Sequence, residues 1–243
     1  DAPCTGLSVI YNDDGTFDSY LFYPKNPDAV IVDTSIIVKA PVRFLISGMG
    51  DALGTYFEAR MCYKTNSPSL ENGGVTKSAM ALCELCYETL LEDGYKAKKS
   101  AEIGVLTPAV ESIIEANTYL SGVGADNGGL ATAHSVYNGF TALEECEKIM
   151  HGEIVAFGTI IQLVLENAPM DEIEEVMDFC VSVGLPITLE EIGVKDKKRV
   201  IIAAEKACAP GESIHNMLGD VTAQQLNSAI LAADAMGMEF LGK

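Results

Sequence analysis

The chain has 243 residues, 48% of them hydrophobic, 21% charged and none of them Trp, which allows one or two domains around a sizeable core of ordinary globular type. Against 16 basic residues stand 35 acidic ones, a formal net charge of −19 at pH 7. That charge repels nucleic acid and anionic membranes, gives little help with phosphorylated substrates, and suits a neutral or cationic small molecule.

The first thirty-odd residues read as β structure. Residues 6–11 alternate, Asn12-Asp-Asp-Gly15 signals a hairpin turn, residues 17–23 alternate again, and residues 29–32 form a short apolar run that predicts a buried strand. Strands so few do not make a stable sheet alone, so other strands are expected to complete it. From Ala40 onward the pattern is helical. A helix begins after Pro41, Gly48-Met-Gly50 reads as a break, and Asp51 opens a new helix through Arg60. Amphipathic helices follow over residues 75–91 and 100–116, the second entered at Thr107-Pro108. Residues 122–129 read as a glycine-rich loop leading into the helix that bears His134. Residues 152–165 form an almost wholly apolar and therefore central helix, and residues 171–183 a capped one ending at Gly184. Two more helices are expected over 197–209 and 221–236. No segment is apolar enough for long enough to span a bilayer as a helix.

Seven cysteines, odd in number and without a spacing framework, read as reduced thiols of a cytoplasmic protein. Cys83-Glu-Leu-Cys86 lies inside a helical pattern with no second pair downstream, and such a pair is more often two small buried side chains than a zinc or redox site.

The chemistry points to three residues. His134 and His151 are two of the three histidines, each beside glycine and small residues at a predicted helix start. Asp51 follows Gly50 at a third, where free N–H groups and the helix dipole favour a carboxylate. Each has a plain alternative: Asp51 as an N-cap, the histidines as polar residues opening helices. An imidazole near a helix N-terminus is biased towards its neutral form, the state a metal ligand needs, and an Asp-His-His set leaves coordination positions open. Glu58, Asn138 and Glu153 are candidates to orient the rings. His215 falls in a polar loop and reads as a surface or interface residue.

Four stretches carry a resemblance: Ser47-Gly-Met-Gly-Asp-Ala-Leu-Gly-Thr-Tyr-Phe-Glu-Ala-Arg60, Glu115-Ala-Asn-Thr-Tyr-Leu-Ser-Gly122, Gly128-Gly-Leu-Ala-Thr-Ala-His134 and His151-Gly-Glu-Ile-Val-Ala-Phe-Gly158. In order and spacing the chain resembles the glycerol dehydrogenases, of the iron-type alcohol dehydrogenase and dehydroquinate-synthase-like superfamily, essentially end to end. Asp1-Ala-Pro-Cys-Thr-Gly-Leu-Ser-Val-Ile-Tyr11 is similar to the family segment that lines the nicotinamide and substrate cleft.

The resemblance implies a mainly α fold: a C-terminal helical bundle over residues 40–243 that binds metal and substrate, preceded over residues 1–39 by strands left from an α/β nucleotide-binding domain whose remainder is missing. It implies Asp51, His134 and His151 as metal ligands, Asp1 and His134 at the substrate, and Thr5, Leu7 and Tyr11 at NAD. The cofactors implied are NAD and Zn2+, with Fe2+ the lesser alternative. The reaction implied is oxidation of a polyol, glycerol to dihydroxyacetone, through a metal-stabilised alkoxide and hydride transfer, in a homo-oligomer that is octameric in the family. No residue reads as a dedicated general base. Without the missing region, the chain alone is expected to be inactive.

Two departures bear on this. The iron-dependent branch has a fourth ligand, a histidine four residues after the aspartate, where this chain has Thr55. Glycerol dehydrogenases often carry a further histidine in the region of Tyr137, and its replacement is expected to alter packing more than ligation. The rival readings are a relative acting on another diol or on a phosphorylated substrate, which would need clustered Lys and Arg, and a non-catalytic metal-binding helical module.

Overall fold

The computed structural model describes residues 3–13 and 16–243. Two strands come first, β1 (Leu7–Tyr11) and β2 (Phe17–Phe22), paired antiparallel with Val9 opposite Tyr20 and an irregularity after Ile10. Among the described residues no further strand joins them; the hairpin is tied instead to the helix over Thr132–Phe140 and the turn after it, by hydrogen bonds of Tyr11 with Tyr137, Tyr20 with Asn138 and the Phe17 N–H with Thr141. Residues 29–32, expected as a buried strand, are irregular chain outside any strand, with Ile31 96% exposed. Their apolar character has no neighbouring strand here to pair with.

A short turn of helix α1 (Thr34–Ile37), capped by Asp33, leads into α2 (Val42–Thr65). Then follow α3 (Lys77–Glu102), capped by Thr76, and α4 (Pro108–Glu115), capped by Thr107 with Pro in its first turn. α4 passes without a break through a π-helical turn (Ala116–Leu120) into α5 (Ser121–Gly128), and α6 (Thr132–Phe140), α7 (His151–Leu165) and α8 (Met170–Val183) come next. α9 (Val200–Ala207) and α10 (Ala223–Phe240) close the bundle, the latter entered through a Thr222–Gln225 capping box.

The predicted break at Gly48-Met-Gly50 is absent, because α2 runs straight through it. The glycines serve an interhelical contact. A Cβ on Gly50 would collide with the carbonyl oxygen of Gly152, and one on Gly152 with that of Ser47. α2 and α7 therefore meet backbone to backbone, and both are buried along most of their length, Met49, Leu53 and Phe57 facing a core that includes Ile154, Phe157, Ile160 and Ile161. Asp51 is consequently a buried residue in mid-helix, and the expectation of an N-cap there is wrong.

Residues 122–129, expected as a loop, are helical as far as Gly128. Small residues are needed there because α5 lies against α2 and α3: a Cβ on Gly128 would stand 2.6 Å from that of Ala59. The chain reverses only at Gly129, whose φ of +81° favours glycine. The helix read over 100–116 is likewise two elements, since residues 100–102 end α3. Cys83 and Cys86 are buried in α3, their thiols pushed upward by desolvation (Cys83 to about 12), which fits small packed side chains rather than thiolate ligands.

The contact at Gly50 and Gly152 yields a direct expectation. Gly152→Ala wedges α2 from α7 and costs about 1–3 kcal/mol or more, lowering the melting temperature by several degrees. An unchanged melting temperature would mean that the helices have room to separate at no cost.

Candidate metal centre

α2 carries Asp51, Thr55 and Glu58 at i, i+4 and i+7, one stripe of a helix. Asp51 faces the start of α7, where His151 is the first residue, and His151 Nε2 lies 3.0 Å from Asp51 Oδ1. His134, in the first turn of α6, sets its own Nε2 3.3 Å from the same oxygen. One donor atom from each of the three residues lies within 4.8 Å of the others, the one such group of His, Cys, Asp or Glu among the described residues. Asp51 is buried, while the His134 and His151 side chains keep 15% and 27% of their surface exposed. The site is sheltered but reachable.

Glu58 completes the arrangement. One carboxylate oxygen accepts hydrogen bonds from the backbone N–H groups of Ala131 (2.8 Å) and His134 (3.0 Å), satisfying donors that the helix itself leaves unpaired. The other lies 2.5 Å from His134 Nδ1. A carboxylate only accepts, so Nδ1 carries the proton and Nε2 is the nitrogen turned to Asp51. The remaining candidates for orienting the rings do something else. Glu153 accepts from Arg43 and from the Met150 N–H, closing the first turn of α7, and Asn138 donates to Tyr20 Oη and Glu212.

Desolvation alone would favour the neutral form of His134, but the Glu58 charge and the hydrogen bonds to Asp51 and Glu58 outweigh it and raise its pKa to about 10. At His134 the carboxylates thus act in the sense opposite to the helix end, which favours the neutral ring. The two carboxylates act at closer range than the dipole. Burial works against ionisation of Asp51, yet the charge of His151 and hydrogen bonds from both rings hold its carboxyl well below the usual range.

The three donors open into a cleft of about 160 Å³ roofed by the hairpin. Leu7, Val9 and Tyr20 line it from the strands, and Thr55 and Ser121, with hydroxyls 2.9 Å apart, from α2 and α5. Thr5 and Leu7 thus stand at the cleft, and Tyr11 sits beside it with its hydroxyl 3.0 Å from that of Tyr137. Asp1 lies outside the described residues. His215 is exposed, away from the site, with Nε2 3.1 Å from the Ala209 carbonyl. Thr55, at the position of the missing histidine, hydrogen-bonds Ser121 and presents no imidazole. Sequence reasoning missed Tyr20 and Ser121, and it underrated Tyr137, whose ring stands edge-on to His151 with centroids 4.1 Å apart. The i+3 spacing of Tyr137 from His134 was a usable signal; nothing in the sequence tied Tyr20 to this place.

A larger open depression of about 610 Å³ lies around Arg60, Lys64 and Glu166. It shares no lining residue with the cleft, and its guanidinium is already engaged by Glu172 and Glu166. No Lys or Arg lines the cleft itself among the described residues.

No protein-family model matches the chain. It is 55% identical over 245 aligned residues to the glycerol dehydrogenase of Citrobacter freundii, covering 100% of this chain and 67% of that protein. The crystal structure of glycerol dehydrogenase from Schizosaccharomyces pombe superposes with a TM-score of 0.97 at 41% identity, over 100% of this chain and 62% of that one. An iron-containing alcohol dehydrogenase from Thermococcus thioreducens, at 16% identity and a TM-score of 0.69, shares the fold over 95% of this chain and 61% of its own. The chain thus spans about two thirds of the length of the relatives it matches.

Because the folded chain holds the His134 cation more firmly than the unfolded chain does, this interaction stabilises the metal-free protein fully below about pH 6.5 and fades as pH rises through about 10. In long-range 1H–15N spectra of metal-free protein, both ring nitrogens of His134 should be protonated at pH 8, and a midpoint near the free-histidine value would contradict the arrangement.

Proposed function

As a member of the glycerol dehydrogenase family, within the iron-type alcohol dehydrogenase and dehydroquinate-synthase-like superfamily, the chain, we propose, is the metal- and substrate-binding part of an NAD-dependent dehydrogenase that oxidises glycerol to dihydroxyacetone. The observation that carries this reading is the convergence of Asp51, His134 and His151 on one point in a sheltered cleft.

The donor set fits a divalent cation of the zinc class. It offers two imidazole nitrogens and one carboxylate oxygen, three protein ligands with room left over, and it lacks the fourth histidine that Thr55 replaces. Such a cation would supply Lewis acidity, lowering the pKa of an alcohol directed at it, and a nicotinamide dinucleotide would supply the hydride acceptor. The chain's own residues do the rest. Glu58 fixes the His134 tautomer and ring orientation, as an outer carboxylate does at many metal sites. Leu7, Val9, Leu70 and Leu130 form apolar walls that limit water at the reacting alcohol. The Thr55 and Ser121 hydroxyls are the neutral hydrogen-bonding groups available to a second substrate hydroxyl. With no Lys or Arg on its walls among the described residues, the cleft suits an uncharged polyol better than a phosphate ester.

In this reading residues 40–243 form the metal- and substrate-binding domain. Residues 1–39 belong to an α/β nucleotide-binding domain, and Thr5, Leu7 and Tyr11 face the cofactor.

Elemental analysis of the full-length protein should find one zinc per chain. His134→Ala and His151→Ala should each abolish it, and Glu58→Gln should weaken zinc affinity by about 10–100-fold. Unchanged zinc content in both histidine variants would reject the site. Turnover should favour glycerol over glycerol 1-phosphate, and the opposite preference would reject the substrate assignment.

A further inference from the structure

Tyr137 stands where two cavities meet. On one side is the cleft of about 160 Å³ that holds Asp51, His134 and His151; on the other is a cavity of about 310 Å³ walled by Leu143, Ile149 and Ile154, with Glu144 and Glu147 among its polar lining. Among the described residues, Tyr137 alone lines both. Its ring is fixed at two points. The face-to-edge contact with His151 holds the body, with centroids 4.1 Å apart and planes at 71°, and the 3.0 Å hydrogen bond between the Tyr137 and Tyr11 hydroxyls ties the tip to the hairpin. A side chain anchored at both ends is a wall rather than a mobile filler.

We propose that Tyr137 is the specificity-determining residue of this site, its ring closing the cleft at a length that admits a short polyol and excludes 1,2-diols with an apolar tail. The inference rests on the reading of the cleft as a metal-dependent polyol site. A three-carbon polyol places its hydroxyls at the donor set and ends before the ring. A longer 1,2-diol has the same hydroxyls to offer, but its tail runs into Tyr137. Beyond the ring lie Leu143, Ile149 and Ile154, apolar surface that would accept the tail if the partition were removed. The discrimination is steric and belongs to the ring, not to the hydroxyl.

The test uses the full-length zinc-loaded protein and its Tyr137→Phe, Tyr137→Leu and Tyr137→Ala variants, with glycerol and 1,2-hexanediol as substrates. Zinc content and the rise in melting temperature produced by 1,2-hexanediol are measured alongside. Tyr137→Phe keeps the ring and should hold the ratio of the two kcat/KM values within about threefold of wild type, while Leu and Ala should move it towards hexanediol by about tenfold or more, chiefly through KM. In those two variants zinc is retained and hexanediol raises the melting temperature, as it does not in wild type. If Tyr137→Ala does not fold, Tyr137→Leu decides. An unchanged ratio in a zinc-retaining small variant overturns the proposal, as does a shift in Tyr137→Phe equal to that of Tyr137→Leu. Loss of zinc from the small variants also overturns it, because Tyr137 would then act by supporting His151. Failure of wild type itself to hold zinc or oxidise glycerol is read separately, and it strikes the assignment of the site on which this inference rests.

Discussion

The close crossing of α2 and α7 is the constraint on which the rest of the structure depends. A glycine in a helix interior costs roughly 0.5–1 kcal/mol relative to alanine, and α2 carries three while α7 carries two. At Gly50 and Gly152 the return is a backbone contact that no other residue permits. With the helices so close, the residue after Gly50 and the residue before Gly152 are brought together, and these are Asp51 and His151. The core between the two helices and the polar site at their crossing are therefore products of one contact.

Glu58 shows the same economy along the stripe. It is fully buried, and its two oxygens serve Ala131, the His134 backbone and the His134 ring. A buried carboxylate is costly unless it is fully hydrogen-bonded. Here it takes over the capping of α6, which has no side-chain cap of its own, and thereby sets the position of His134 to within a hydrogen bond. Folding of the α6 entry and aiming of the imidazole cannot be separated.

The helical character of the bundle, the approximate starts of α7 and α10 and the Gly184 stop were legible because apolar periodicity and stop residues are local signals. Gly48-Met-Gly50 and the glycines of residues 122–129 misled for one reason. Locally a glycine reads as a break, whereas here it records the approach of another helix, which the sequence near it does not contain. The site was legible in part. His134, His151 and Asp51 stood out through scarcity and glycine neighbours, and the family resemblance joined them. Glu58 was a candidate to orient a ring, but which ring it serves, like the Thr55–Ser121 pair and the Tyr20 wall, depends on crossings between distant segments. The upward pull on the His134 pKa likewise comes from carboxylates that only the fold brings near.

The π-helical turn between α4 and α5 has a consequence for phase. Over Ala116–Leu120 the chain takes one residue more than an α-helix would, with the Ser121 N–H reaching back to the Ala116 carbonyl. Each residue of an α-helix turns the axis by about 100°, so the extra one rotates everything after it by about that angle relative to everything before. α4 can then bury Val110, Ile113 and Ile114, while α5, on nearly the same axis, presents Ser121 and Ala125 to the cleft. Asn117 marks the offset, its amide donating to the Leu45 carbonyl of α2. One wall of the cleft is thus set by a count of residues: a chain shorter by a single position in this turn would point Ser121 away from Thr55 without altering either side chain.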